Sequence, residues 1–195
     1  TYFSCADKDG MMVSMIQSNF RGMGSGLVAD GLGFMFQDRG QLFSLADGHP
    51  NIYAPAKRPF QTIIPGFAAR GQVPWMSFGV MGGDMQPQGQ AQIVINRVDY
   101  GLEIQAAGDS PRWHHEGSSE TMGEDSSGLG AGGVLRLENG VPEASRRKLA
   151  EIGWTLGESD GGFGRYQCVE HRMDGDTRVY AAASEMRADG CALAY

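Results

Sequence analysis

The chain has 195 residues, 41% of them apolar and 20% charged, a balance that suits one soluble globular domain. A net charge of -7 argues against general affinity for nucleic acid or anionic lipid, and no stretch reaches the roughly 18 apolar residues of a membrane span. Cys5, Cys168 and Cys191 are odd in number and far apart, with neither a disulfide framework nor metal-ligand spacing, which fits a reducing compartment.

The chain opens on an apolar run, Tyr2 to Ala6, followed by Asp7-Lys8-Asp9-Gly10 and a second run, Met11 to Ile16. The middle cluster is turn chemistry, so a β-hairpin is expected at the first residue. Cys5, early in that first strand, is expected to be a buried small hydrophobe. Glycine then punctuates the sequence at 22, 24, 26, 31 and 33. Gly22-Met23-Gly24-Ser25-Gly26 lacks the spacing of a nucleotide-binding fingerprint and reads as a crowded turn.

Pro55 to Pro59 reads as a rigid connector, Thr62 to Phe67 as a strand broken by Pro65, and Trp75 to Met81 as another strand closing on Gly82-Gly83. From Asp84 to about Tyr100 the pattern suits a half-buried helix with Asp84 at its N-cap. Residues 107–134 read as a surface loop rich in Gly, Ser and acidic residues. A short helix is expected from Pro142-Glu143 to Gly153, with Ala144, Leu149 and Ile152 on one face. Phe163 to Val169 and Arg178 to Ala183 then read as a hairpin turning at 172–176. The order of elements gives an α+β or layered class, not a doubly wound βαβ array.

Some residue types suggest chemistry. A threonine hydroxyl is a weak nucleophile unless a base adjoins it, and at an N-terminus that base can be the residue's own α-amine. Thr1 could therefore be catalytic, or the end of an ordinary cleavage product. An acyl-transfer nucleophile needs an oxyanion stabiliser, and Gly82-Gly83 ahead of a helix could present backbone N–H groups. His114-His115 suits packing or hydrogen bonding better than metal, since adjacent side chains diverge. Asp38 beside Arg39 reads equally as an ion pair or a turn, and Trp75, Trp113 and Trp154 as packing or subunit-interface residues.

In order along the chain, several motifs resemble the small subunit of the γ-glutamyltranspeptidase family of N-terminal-nucleophile hydrolases. They are Thr1 with Tyr2-Phe3-Ser4, Asp7-Lys8-Asp9-Gly10, Val13-Ser14, Gly24-Ser25-Gly26 and Lys57-Arg58-Pro59. Gly82-Gly83, Asn96 with Asp99-Tyr100-Gly101-Leu102, Pro111-Arg112-Trp113-His114-His115, and Arg187-Ala188-Asp189-Gly190 running to Tyr195 as a closing strand complete the set.

The resemblance implies a four-layer αββα sandwich. Residues 1–195 would be the small, catalytic subunit of an autoprocessed precursor, completed by a large subunit from the same precursor. Thr1 would be the nucleophile, Gly82 and Gly83 the oxyanion donors, and Ser18 a hydroxyl beside it. No cofactor or metal is implied. The partners implied are that large subunit and a small-molecule amide, with a dimer of heterodimers possible in principle and no role for nucleic acid or membrane. A cytoplasmic rather than periplasmic location is expected.

Four departures from the family pattern bear on substrate. The family has one more residue between its nucleophile and the aromatic-Ser pair, so Thr1 matches either the nucleophile or the position after it. Phe20 and Leu42 stand where members hold an amino group with Asn and an acidic residue, and a leucine cannot pair with an ammonium. Arg39 replaces a glutamine, and Gln61-Thr62 replaces a serine pair that binds a carboxylate. These substitutions resemble a divergent branch that includes cephalosporin-acylase-like members and lies close to oxamate amidohydrolase. The expected substrate is a small carboxylate-bearing amide held by Arg39, Gln61 and Thr62. A true γ-glutamyl hydrolase or transpeptidase acting on glutathione stays open, as does a non-catalytic relative serving as a binding subunit.

Overall fold

The computed structural model describes residues 1–117, 132–159 and 161–195. The chain starts with the expected hairpin, β1 (Tyr2–Ala6) against β2 (Met12–Ile16). Asp7 makes the turn: its Oδ1 accepts the N–H of Asp9 at 2.9 Å and of Met11 at 3.0 Å. Alternation along the strands splits the hairpin into two faces. Tyr2, Ser4 and Ser14 face inward, where both serine hydroxyls donate to carbonyls of a second sheet. Phe3, Val13 and Met15 lie on the outer face, half exposed. Cys5 shares that face and is exposed, which corrects the expected burial: its register opposite Val13 puts it outside.

The second sheet is antiparallel in the order β3 (Gly66–Arg70), β4 (Val73–Met81), β8 (Arg165–Asp174) and β9 (Thr177–Ser184). β8 and β9 turn on Gly175-Asp176, tighter than expected, with Gly175 at φ +59°. β4 is covered on both faces, so it reads as a continuous apolar run. Met76, Phe78 and Val80 pack with Ile93 and Ile104 on one side. Two helices supply those residues: α1 (Met85–Val98) and α2 (Ile104–Asp109). The hairpin lies on the other side. The chain therefore stacks hairpin, sheet and helices, three successive layers of the expected α+β sandwich.

A smaller sheet joins β5 (Trp113–Glu116), β6 (Val134–Leu137) and β7 (Leu156–Gly157), with α3 (Glu143–Glu151) between β6 and β7. The end of α2 and all of β5 lie within the span expected to be loop. Residues 118–131 of that span lie outside the described residues. A buried ion network ties this sheet to the main body. Arg112, 1% exposed, donates to Glu185 at 2.6 Å and to the carbonyls of Gly108 and Phe163. Arg187 bridges Glu185 and, bidentately, Glu138.

Three further expectations are corrected. Residues 62–65 form no strand; β3 begins at Gly66, after Pro65, which has no N–H to give a ladder. No strand runs from 187 to 195, because β9 ends at Ser184. Ala144 and Ile152 of the α3 region are exposed and Leu149 only half-buried, so α3 presents no buried face within this chain. Between 17 and 65 the described backbone holds a 3₁₀ turn, Arg39–Leu42, and two isolated bridges, Val28 to Met35 and Ser44 to Ile52.

Candidate active site

The cleft is built where the hairpin, the end of β4 and the start of α1 meet. The Tyr2 N–H donates to Met81 Sδ at 3.1 Å, which brings the first residues of the chain beside the turn after β4. Thr1 pairs with Gln17 on both sides, its amine to the Gln17 carbonyl at 2.8 Å and its own carbonyl to the Gln17 N–H at 2.8 Å. Gly82 and Gly83 form the turn, at φ +136° and +57°, values that favour glycine. A Cβ on Gly82 would also lie 2.9 Å from the Cα of Gly164. Their carbonyls accept the first N–H groups of α1, from Met85 and Gln86, at 3.1 Å each. Among the described residues neither glycine N–H has a hydrogen-bond partner, and both precede a 14-residue helix, whose N-terminus favours negative charge. Asp84 holds the N-cap position expected of it, without a side-chain capping bond.

The cleft measures about 1190 Å³ and is lined by Thr1, Ser18, Gln61, Thr62, Gly82 and Gly83. Six of the seven residues proposed from sequence thus meet in one place. The seventh, Arg39, stands behind the wall, 3% exposed. Its Nε donates to Thr62 Oγ1 at 2.9 Å and its Nη1 to the Ser18 carbonyl at 3.0 Å, and its guanidinium lies over the Phe20 ring. Burial lowers its basicity, with Asp38 opposing. Asp38 makes no ion pair with it. Its oxygens instead accept the Arg21 N–H and Gln41 Nε2, which is the turn reading. Ser18 Oγ accepts the Phe20 N–H at 2.8 Å and holds Phe20 at φ +78°, an uncommon backbone for a bulky residue.

Sequence reasoning passed over the glutamines of α1. Gln86, Gln88, Gln90 and Gln92 occupy every second position, and each is tied to another segment. Gln86 Nε2 donates to the Thr62 carbonyl at 2.7 Å, and Gln90 to that of Ile64. Gln88 and Gln92 each clasp a residue of β5 through both its N–H and its carbonyl, at His115 and Trp113 respectively. Two glutamines four apart rise ~6 Å along a helix and two strand residues two apart span ~6.8 Å, so the partners match. The run Gln-x-Gln-x-Gln-x-Gln was the available signal.

The family model described as Gamma-glutamyltranspeptidase matches residues 1–195. The chain belongs to the γ-glutamyltranspeptidase family. It is 32% identical over 195 residues to the glutathione hydrolase-like YwrD proenzyme of Bacillus subtilis, covering 98% of this chain and 35% of that protein. It is 31% identical over 197 residues to the oxamate amidohydrolase proenzyme of Klebsiella pneumoniae, covering 100% of this chain and 35% of that one. The crystal structure of cephalosporin acylase from Bacillus halodurans superposes with a TM-score of 0.82 at 40% identity, over 100% of this chain and 34% of that one. The chain spans about a third of the length of these relatives.

Proposed function

We propose that this chain is the small, catalytic subunit of an amide hydrolase, made with a large subunit from one precursor, acting on a small carboxylate-bearing amide, oxamate-like or related. The observation that carries the substrate class is the Arg39 cation directly behind cleft-lining Thr62. Among the described residues no carboxylate lies within 4.0 Å of its guanidinium, and its Nη2 has no partner. Arg39 does not line the cleft, so its charge acts on a substrate carboxylate from behind Thr62 and Ser18, the cleft residues it holds. Oxamate has this chemistry, and the name of one relative supports it. Leu42 is buried and Phe20 apolar, so neither serves a substrate ammonium.

In the proposed reaction a threonine hydroxyl attacks the amide carbon. The carbonyl oxygen becomes an oxyanion held by the Gly82 and Gly83 N–H groups. The C–N bond breaks, the hydroxyl proton passes through the α-amine to the leaving nitrogen, and an ester links acyl group and enzyme. Water then cleaves the ester and restores the hydroxyl. Thr1 fits this role by position. A second placement is favoured by its pairing, since an amine already given to the Gln17 carbonyl behaves like an internal N–H. On that reading the nucleophile is the residue immediately ahead of Thr1 in the precursor.

The full precursor is expressed and its mature chains are weighed intact, then incubated with oxamate, a glutaryl amide and a γ-glutamyl anilide. Turnover of oxamate or glutaryl amide above the γ-glutamyl anilide, with acyl mass on the first residue of the mature small chain, is the expected result. Preference for the γ-glutamyl anilide overturns the substrate class. An uncleaved precursor with no turnover supports the binding-subunit alternative.

A further inference from the structure

Successive residues of an α-helix turn by about 100°, so side chains two apart project ~200° apart, on opposite sides. Gln86 and Gln90 therefore hold Thr62 and Ile64 on one side of α1, while Gln88 and Gln92 hold β5 on the other. The Gly82-Gly83 turn sits between these two walls, at the helix start. The first wall carries Thr62, with Arg39 behind it. The second carries Trp113, His115 and Trp154, all lining the same cleft. The two indoles are 39% and 42% exposed, and the His115 ring meets Trp154 edge-on at 5.7 Å. Among the described residues beside the rings, Arg136 pairs with Glu116 at 2.8 Å and donates to the Glu158 carbonyl.

We infer that the β5 wall is the subsite for the amine half of the substrate, and that it selects a planar aromatic amine. The inference rests on the acyl-transfer reading above. With the amide carbon at Gly82-Gly83 and the carboxylate toward Gln61 and Thr62, the leaving nitrogen points across the helix start to β5. Half-exposed indole rings favour stacking with a flat ring. Gln88 and Gln92 are positioning residues: they fix the main chain that carries His115 and Trp113.

The test uses the full mature protein and two substrates that share an acyl half, oxamate and N-phenyl oxamate, with ammonia and aniline as leaving groups. The ratio of KM for the anilide to KM for the primary amide is expected to rise about tenfold in Trp154→Leu and in Gln88→Leu. A rise in both KM values together, or none, overturns the subsite. A second measurement needs no turnover: free aniline is expected to quench tryptophan fluorescence in the parent protein and much less in Trp154→Leu, whereas n-butylamine does not quench. No response to aniline, as when another part of the protein already covers the indoles, overturns the inference. If neither amide turns over while aniline quenching depends on Trp154, the acyl-transfer reading fails and the aromatic site stands.

Discussion

The ring of Tyr2 occupies the space that Gly79 leaves open. A Cβ on Gly79 would come within 2.5 Å of the ring atoms Cδ2 and Cε2, so the hairpin seats on β4 only because that position has no side chain. The Tyr2 hydroxyl, 2.8 Å from Ser14 Oγ, closes the layer, and burial pushes it up to about 12. The neighbour of Tyr2 is Thr1, so the seating of this ring sets where the first residue stands.

Gly79→Ala is therefore expected to destabilise the protein by about 1–3 kcal/mol through overpacking, and to reduce turnover by displacing β1. Thermal unfolding of the full protein checks this. Gly40→Ala, where nothing lies within 4 Å of the added carbon, is the control and is expected to cost under ~0.5 kcal/mol. Equal effects at the two positions would refute the steric argument.

Gly83→Ala separates conformation from space. No atom lies within 4 Å of the added Cβ, but φ is +57°, so the cost is backbone strain of about 1–2 kcal/mol. The protein is expected to fold, with kcat reduced up to about 100-fold as an oxyanion donor turns away, and with KM little changed. A change confined to KM would mean that this N–H does not meet the developing charge.

Arg39→Gln removes the cation while keeping a long polar side chain. KM for oxamate is expected to rise several-fold, as the cation behind Thr62 is lost. KM for the neutral methyl ester of oxamate is expected to change far less. Matching effects on both would make Arg39 a structural support for Ser18 and Thr62 rather than the anion's partner.

Acid sensitivity follows from Glu138 and Glu170. Burial pushes each carboxyl up, but hydrogen bonds and charges outweigh it, from Arg187 and Arg112 at Glu138 and from Arg97 and Arg172 at Glu170. Both end below the ordinary carboxylate range. Each therefore contributes stability that is full above the unfolded value, about 4.3, and is lost as pH falls through the lower folded value. Glu185 runs the other way, because burial pushes it up against Arg112 and Arg187, and it offsets part of the loss. The fall of Tm from pH ~5 to ~3 is expected to be shallower in Glu138→Gln than in the parent protein. An unchanged slope would mean that Glu138 titrates alike in both states.

Much of the fold was legible from local chemistry. Asp7 to Gly10 marked one turn and residues 172–176 the other, since turn residues act on their own backbone. The span of α1 followed from its pattern and from Gly82-Gly83 before it. The region 104–116 was missed because α2 is one and a half turns long and β5 four residues, too short for periodicity to speak. Cys5 was misplaced because strand alternation tells which residues share a face, not which face is covered.

By itself the sequence determined the longer elements, the turn glycines and the family motifs, with Phe20, Leu42 and Arg39 as departures from them, all properties of residue type and local order. Only the tertiary structure decided that Arg39 stands behind the cleft wall and that Thr1 gives its amine to Gln17. It also decided that alternate glutamines of α1 hold opposite walls. These depend on how segments tens of residues apart stack, and no local preference encodes the partner across the cleft.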